Sequence, residues 1–178
     1  MRIILLTSKG KCGILYIEIL YKAVVRLKGL LRSFVYAFNG VKHAVMTQRN
    51  FRIHLAAIFF TLYFSFLYGL EAVQYGILAL ILLIVPALEL VNTAIENVVN
   101  LKTESFNEFA KIAKDSAAAA VLIAAIGSLG VAVSLFSDVE KLKNAIGTAI
   151  TLPHLIILLF TAAFWIYFIF FFGKKRDK

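Results

Sequence analysis

The stretch VQYGILALILLIVPALELVNTAIENVVN, residues 73–100, decides how this chain is read. From Val73 to Leu88 the only polar residues are Gln74 and Tyr75 at the start, and the segment through Val99 is long enough to cross a hydrocarbon core of about 30 Å. Glu89, Asn92 and Glu96 then interrupt it. Offsets of three and seven put these residues on one helical face, and Asn100 carries the stripe one turn further. Ionisable groups in a lipid-buried helix are costly, so this face must meet protein or water and is read first as functional. Counted from Glu71 at 1.5 Å per residue, Glu89 lies roughly 27 Å down the helix, near the far boundary of the core, with Glu96 at that boundary.

Three more runs of the same kind surround this one: Ile53 to Leu70, Ala117 to Phe136, and Leu155 to Phe172. Each is near the ~20 residues a spanning helix needs. The whole chain of 178 residues is 61% hydrophobic and 16% charged, with a mean hydropathy of +0.87, too apolar for an ordinary soluble domain. One cysteine, Cys12, excludes an internal disulfide framework, and 2 Pro with 10 Gly exclude collagen-like or disordered composition. The fold class is therefore all-α integral membrane.

Net charge is +9. The basic residues Arg2, Lys9, Lys11, Lys22, Arg26, Lys28, Arg32, Lys42, Arg49 and Arg52 precede the first long apolar run, and Lys174, Lys175, Arg176 and Lys178 follow the last. Such flanks are membrane topology signals; nucleic acid is not an expected partner, because the aromatics sit in the apolar runs rather than among the basic residues. No Lys or Arg separates the first two spans, Lys102, Lys111 and Lys114 fill the next connection, and Asp138 and Glu140 balance Lys141 and Lys143 in the third. Both termini are thus expected in the cytoplasm, in a bacterial inner membrane. After Arg2 the apolar run Ile3 to Leu6 is too short for a secretory signal, so no cleaved leader is expected. Val24, Leu27, Leu31, Phe34, Phe38, Val41 and Val45 recur at spacings of three and four, which predicts an amphipathic helix on an anionic membrane surface. Ser105-Phe-Asn-Glu108 has the form of a capping box that starts the third span's helix, and Pro153 suits the start of the fourth.

Lys114 and Asp115 stand at the same membrane level as the Glu stripe. Carboxylates with an amide and a lysine beside the cytosol can hold a divalent cation and a phosphate, while a deeper carboxylate can take a proton from a lipid hydroxyl. The bland alternative is a polar interhelical contact that only fixes packing. There is no Gly-Lys-Ser/Thr phosphate loop, no Gly-x-Gly-x-x-Gly and no His-Glu-x-x-His, so conventional nucleotide and zinc-protease folds are unsupported. His43, His54 and His154 are scattered and read as interfacial, and the small residues Ala117 to Ala120, Ala124, Ala125, Gly127 and Gly130 read as helix-packing positions.

Glu89-Leu-Val-Asn92-Thr-Ala-Ile-Glu96 followed by Ala113-Lys114-Asp115 resembles the small prokaryotic diacylglycerol kinase family, which includes the undecaprenol kinases. The resemblance covers about residues 29 to 136, and Asn50-Phe-Arg-Ile-His54 is similar to the undecaprenol kinase branch. It implies a three-helix membrane kinase with an N-terminal surface helix, working as a homotrimer with sites shared between neighbours and using ATP with Mg2+ on a membrane lipid. By position, Glu89 resembles the family's general base and Asn92 lies close to the reacting phosphate. Glu96 resembles a magnesium ligand, Lys114 a contact to the transferred phosphate with Asp115 organising the site, and Tyr36 an aromatic residue near the nucleotide. Gln48 stands where the family often has a second magnesium-binding Glu, Asn100 where Asp is usual and Asn107 where His is common. Gln48 follows Val45 by three, which predicts that it continues the apolar stripe and points at the bundle, offering the metal an uncharged oxygen.

The expected organisation is a basic N-terminal segment at residues 1–28, a lipid kinase domain at 29–136, and at 137–178 a loop, an extra transmembrane helix and a basic tail. The expected activity is ATP-dependent phosphorylation of undecaprenol, with diacylglycerol as the alternative substrate. A non-catalytic assembly or transport module is the competing class. Transport would favour a polar stripe along the whole span, whereas these polar groups gather at one end.

Overall fold

A computed structural model describes residues 10–102 and 105–173 of the chain. Among the described residues there are six helices and no strand: α1 (Gly10–Thr47), α2 (Arg49–Tyr68), α3 (Ala72–Lys102), α4 (Glu108–Leu135), α5 (Val139–Ala149) and α6 (Leu152–Phe171). The basic positions Arg2, Lys9, Lys174, Lys175, Arg176 and Lys178, and the apolar run Ile3 to Leu6, lie outside the described residues.

The chain divides into two units, residues 1–42 and 43–178. In the first, α1 begins well ahead of Val24, because nothing after Gly13 breaks the helix. Its stripe residues Val24, Leu27, Leu31, Phe34 and Phe38 are all exposed, as is Tyr36.

In the second unit α2, α3, α4 and α6 are each long and apolar enough to span a bilayer, so the four expected spans are present. The chain is an all-α integral membrane protein. The 31 residues of α3 amount to roughly 46 Å, longer than a ~30 Å hydrocarbon core, so the helix continues past it. At one end Gly69, in the left-handed conformation (φ 73°), closes α2 by donating to Ser65 O and lets α3 start three residues later. Tyr68, Leu70, Leu78, Leu135 and Ala145 form the apolar core at this end. The Tyr68 and Phe136 rings meet edge to face at 5.0 Å, and the Tyr68 hydroxyl accepts from Asp138 N at 2.9 Å. The connection read as a loop after Phe136 contains a helix of its own, α5. Asp138 caps it by accepting from the Glu140 and Lys141 amides, and buried Ala145 faces the core.

α4 packs against α3 through a stripe made of Ala117, Val121, Ala124, Ala125 and Ser128. Gly127 and Gly130 are not part of it: a side chain there would meet nothing within 4 Å. These two glycines lie on the outward face, so their reading as packing positions is corrected within this chain. Pro86, buried in α3, has no N–H to give the Leu82 carbonyl. Beside it, Ser128 Oγ donates to Ala124 O at 2.8 Å and lies 3.4 Å from Ile81 O.

The extra span, α6, is held on α2 at several heights. Tyr63 Oη and His154 Nδ1 are 2.7 Å apart, and Phe59 lies against Trp165 with ring centres 5.9 Å apart. Further along, buried Arg52 donates to Ile169 O from Nε (3.2 Å) and Nη2 (3.1 Å), and to Val45 O from Nη1 (2.9 Å). Pro153 sits in the first turn of α6, as its fixed φ predicts.

Candidate functional site

Glu89, Asn92 and Thr93 are buried on α3, with Glu89 only 3% exposed. Helical spacing brings Glu96 onto the same face: Asn92 Nδ2 donates to Glu96 Oε1 at 3.3 Å, and Thr93 Oγ1 donates to Glu89 O at 2.9 Å. The Asn92–Glu96 bond fixes which end of the amide is nitrogen. Asn92 Oδ1 is then a buried acceptor without a donor among the described residues. Leaving a buried carbonyl unpaired costs about 1–3 kcal/mol, which is tolerable where a bound hydroxyl supplies the missing proton.

A cavity of about 260 Å³ opens onto these groups between α2, α3 and α4, lined by Asn50, His54, Glu89, Asn92, Ala118 and Ala125 among others. The Asn50 amide lines the same cavity as the Glu89 carboxylate. Next to this polar chamber lies a second cavity of about 240 Å³, bounded chiefly by Ile58, Leu78, Leu82, Val85 and Pro86. His54 and Ala125 line both. The two spaces together make an amphiphilic cleft, with carboxylate and amides at one end and aliphatic side chains at the other.

On the far side of the Glu stripe, Lys114 Nζ donates to Asn100 Oδ1 at 2.7 Å. Both line a cavity of about 370 Å³ with Asp115, Ser105, Asn107 and Lys111. An amide at position 100 orients the ammonium without cancelling its charge, where an aspartate would neutralise it. α4 is capped by Asn107, whose side chain accepts from Ala110 N at 3.1 Å. Ser105 is therefore not the cap, and the helix starts two residues later than the capping-box pattern implies, because the Asn carbonyl does the same work from a nearer position.

The structure thus divides the expected cluster in two: Glu89 and Asn92 line the cleft, with Glu96 hydrogen-bonded to Asn92, while Lys114, Asn100 and Asp115 share the pocket of about 370 Å³. Gln48 corrects another expectation. It does not extend the α1 stripe; it is the non-helical corner between α1 and α2 (φ −105°, ψ 113°), partly buried. Among the described residues no three His, Cys, Asp or Glu side chains gather as a metal cage. Tyr36 belongs to the first unit, on the exposed surface of α1. Sequence reasoning missed Asn50 and misjudged His54. Both were visible at an offset of four in Asn50-Phe-Arg-Ile-His54, the offset that puts two side chains on one helix face.

These features define a polytopic helical membrane protein with a buried carboxylate–amide site opening into an apolar cleft. Residues 35–136 match the family described as "Prokaryotic diacylglycerol kinase", and the chain belongs to that family. It is 50% identical over 101 residues to a diacylglycerol kinase of Synechocystis sp., a match covering 56% of this chain and 58% of that protein. It is 38% identical over 110 residues to an undecaprenol kinase of Bacillus subtilis, covering 62% and 89%. With a diacylglycerol kinase of Helicobacter pylori it shares 34% identity over 100 residues, covering 56% and 77%. The chain therefore spans less than two thirds of the Synechocystis relative and most of the other two. No solved structure matches. The matched region ends at Phe136, before α5 and α6.

Proposed function

We propose that this chain is a lipid kinase that transfers the terminal phosphoryl group of ATP to the hydroxyl of a membrane lipid alcohol at the cytoplasmic face of a bacterial inner membrane. The substrate put first is undecaprenol, on the resemblance of Asn50-Phe-Arg-Ile-His54. Diacylglycerol is the second reading, favoured by the 50% identity to a relative named for it. One observation carries the proposal: the donorless Asn92 Oδ1 and buried Glu89 stand at the mouth of an apolar cleft. A lipid alcohol matches that arrangement, with its hydroxyl on the amide and carboxylate and its chain against Val85, Pro86 and Leu82.

In this reading the lipid hydroxyl first docks by donating its one proton to Asn92 Oδ1, then swings that proton to the Glu89 carboxylate, which takes it as the hydroxyl oxygen attacks the γ-phosphorus. The bond from that phosphorus to the bridging oxygen breaks, and ADP leaves. Asn50 lines the same chamber as Glu89. Lys114, oriented by Asn100, offers positive charge to the phosphates, and Asp115 lines the same pocket. Tyr36 is assigned to the nucleotide base. Magnesium in such sites usually takes one or two carboxylates and completes its shell with phosphates and water. Glu96 fits that role, since one hydrogen bond from Asn92 leaves most of its lone pairs available, and Gln48 is the second protein oxygen assigned to the ion. When bound, the ion offsets the negative charge of the β- and γ-phosphates. Assembly as a homotrimer belongs to the same proposal, with both termini in the cytoplasm.

The test is a panel of lipid alcohols in vesicles with γ-labelled ATP and Mg2+. Label should appear in undecaprenyl phosphate, phosphatidic acid, or both. Label in no lipid would leave the non-catalytic module as the reading.

A further inference from the structure

His54 is a polar ring where the two cavities of the cleft adjoin. It is one turn from Asn50 on α2, and it lines both the chamber that holds Glu89 and Asn92 and the apolar chamber beyond. The other residue that lines both cavities is Ala125, which has no polar atom beyond its backbone. His154, on α6, is paired with Tyr63; the His54 ring makes no hydrogen bond to another described residue. A neutral imidazole carries one N–H donor and one acceptor. Both point to a ligand that brings polar atoms to this place.

We propose that His54 is a specificity-determining residue, reading the atoms next to the reacting hydroxyl; this rests on the lipid kinase reading above. A lipid whose hydroxyl occupies the Glu89–Asn92 chamber must pass the next few atoms by His54 and Ala125. In a diacylglycerol those atoms include an ester carbonyl, which can accept the His54 N–H. In a polyprenol they are an alkene and a methyl group, which leave that donor unpaired. Sites built to hydrogen-bond a substrate group discriminate against the analogue lacking it. His54 therefore gives this cleft its share of affinity for glycerides, and the ratio between the two alcohol classes depends on it.

The experiment compares 1,2-dioctanoylglycerol with undecaprenol as acceptors for wild type, His54→Leu and His54→Gln in mixed micelles. The same diacylglycerol, tritiated, is also bound without ATP. In His54→Leu the ratio of kcat/KM for diacylglycerol over undecaprenol should fall about tenfold, through KM, the size expected for one hydrogen bond. His54→Gln, whose amide can donate, should recover part of it. His54→Phe gives the same comparison with a ring if leucine is not accepted by the fold. An equal fall for both lipids, or an unchanged ratio, overturns the inference. If the wild type labels neither lipid, the kinase reading fails, and the ATP-free binding decides His54 independently. Loss of diacylglycerol binding in His54→Leu supports the inference, and unchanged binding overturns it.

Discussion

Removing the Arg52 guanidinium should free the end of α6 without unfolding the bundle. Arg52 is 7% exposed and reaches two backbone carbonyls, Ile169 O through two nitrogens and Val45 O through a third. Ile169 lies in the last four residues of α6, as does Val45 in α1. These carbonyls have no helical donor, so one arginine caps two helix ends and also complements their negative dipole ends. A hydrogen bond from a charged donor is worth about 1.5–3 kcal/mol. Each acceptor therefore gains about 1.5 kcal/mol at the low end, the end we adopt because exposed carbonyls regain water, and only the Ile169 acceptor belongs to α6. With every 1.4 kcal/mol worth tenfold, loss of the Ile169 share in Arg52→Leu should speed hydrogen exchange in the last turn of α6 about tenfold. Amides in the Tyr68–Phe136 core should keep their protection, because that cluster lies at the other end of the helices. Arg52→Lys keeps the charge with fewer bonds and should fall between. Unchanged protection at Ile169–Phe171 in Arg52→Leu would refute the capping argument, and loss of protection throughout would show that Arg52 holds the whole bundle.

Ala125→Leu should fill the passage between the two chambers and raise the lipid KM at least tenfold while ATP binding stays as in wild type; a normal lipid KM would mean the chambers are not one site. Asn100→Asp turns the amide that orients Lys114 into a carboxylate, so the KM for ATP should rise severalfold, and more at low salt than at high salt. Gln48→Glu should lower the magnesium concentration needed for half-maximal activity and Glu96→Gln should raise it, whereas no effect of Gln48→Glu would remove the α1–α2 corner from the metal site. Mixing Glu89→Gln with Lys114→Ala chains should restore part of the activity if sites are shared across a trimer, and no recovery at any ratio would mean that each chain carries a whole site.

The spans and the Glu89–Asn92–Glu96 face were legible because length, hydropathy and a period of 3.6 are local properties of the chain. Glu89, Asn92 and Glu96 within a segment built mainly of Leu, Ile, Val and Ala stand out without any knowledge of partners. What escaped depends on contacts between distant segments. Arg52 reads as one more basic flank residue, and only the position of Ile169, 117 residues away, makes it a cap. α5 is short and polar, with Glu140, Lys141, Lys143 and Asn144 in 11 residues, so no apolar run announces it; its burial rests on Ala145. The stripe that runs to Val45 cannot be extended to Gln48, because α1 ends at Thr47 and no residue type there marks the break. Gly127 and Gly130 carry the composition of a packing face, but composition does not say which way a helix is turned. His54 and Asn50 shared a helical face in the sequence, yet the cleft they line exists only once α3 and α4 are in place.

The most direct test of the account is label transfer from γ-labelled ATP to a lipid alcohol by purified wild type and Glu89→Gln protein, with nucleotide binding measured on the same samples. Glutamine keeps the shape of the buried side chain and removes its basicity. The account predicts a fall in turnover of at least 100-fold with ATP binding retained. Turnover by Glu89→Gln within a fewfold of wild type would contradict it, because the buried carboxylate would then not be the group that accepts the lipid proton.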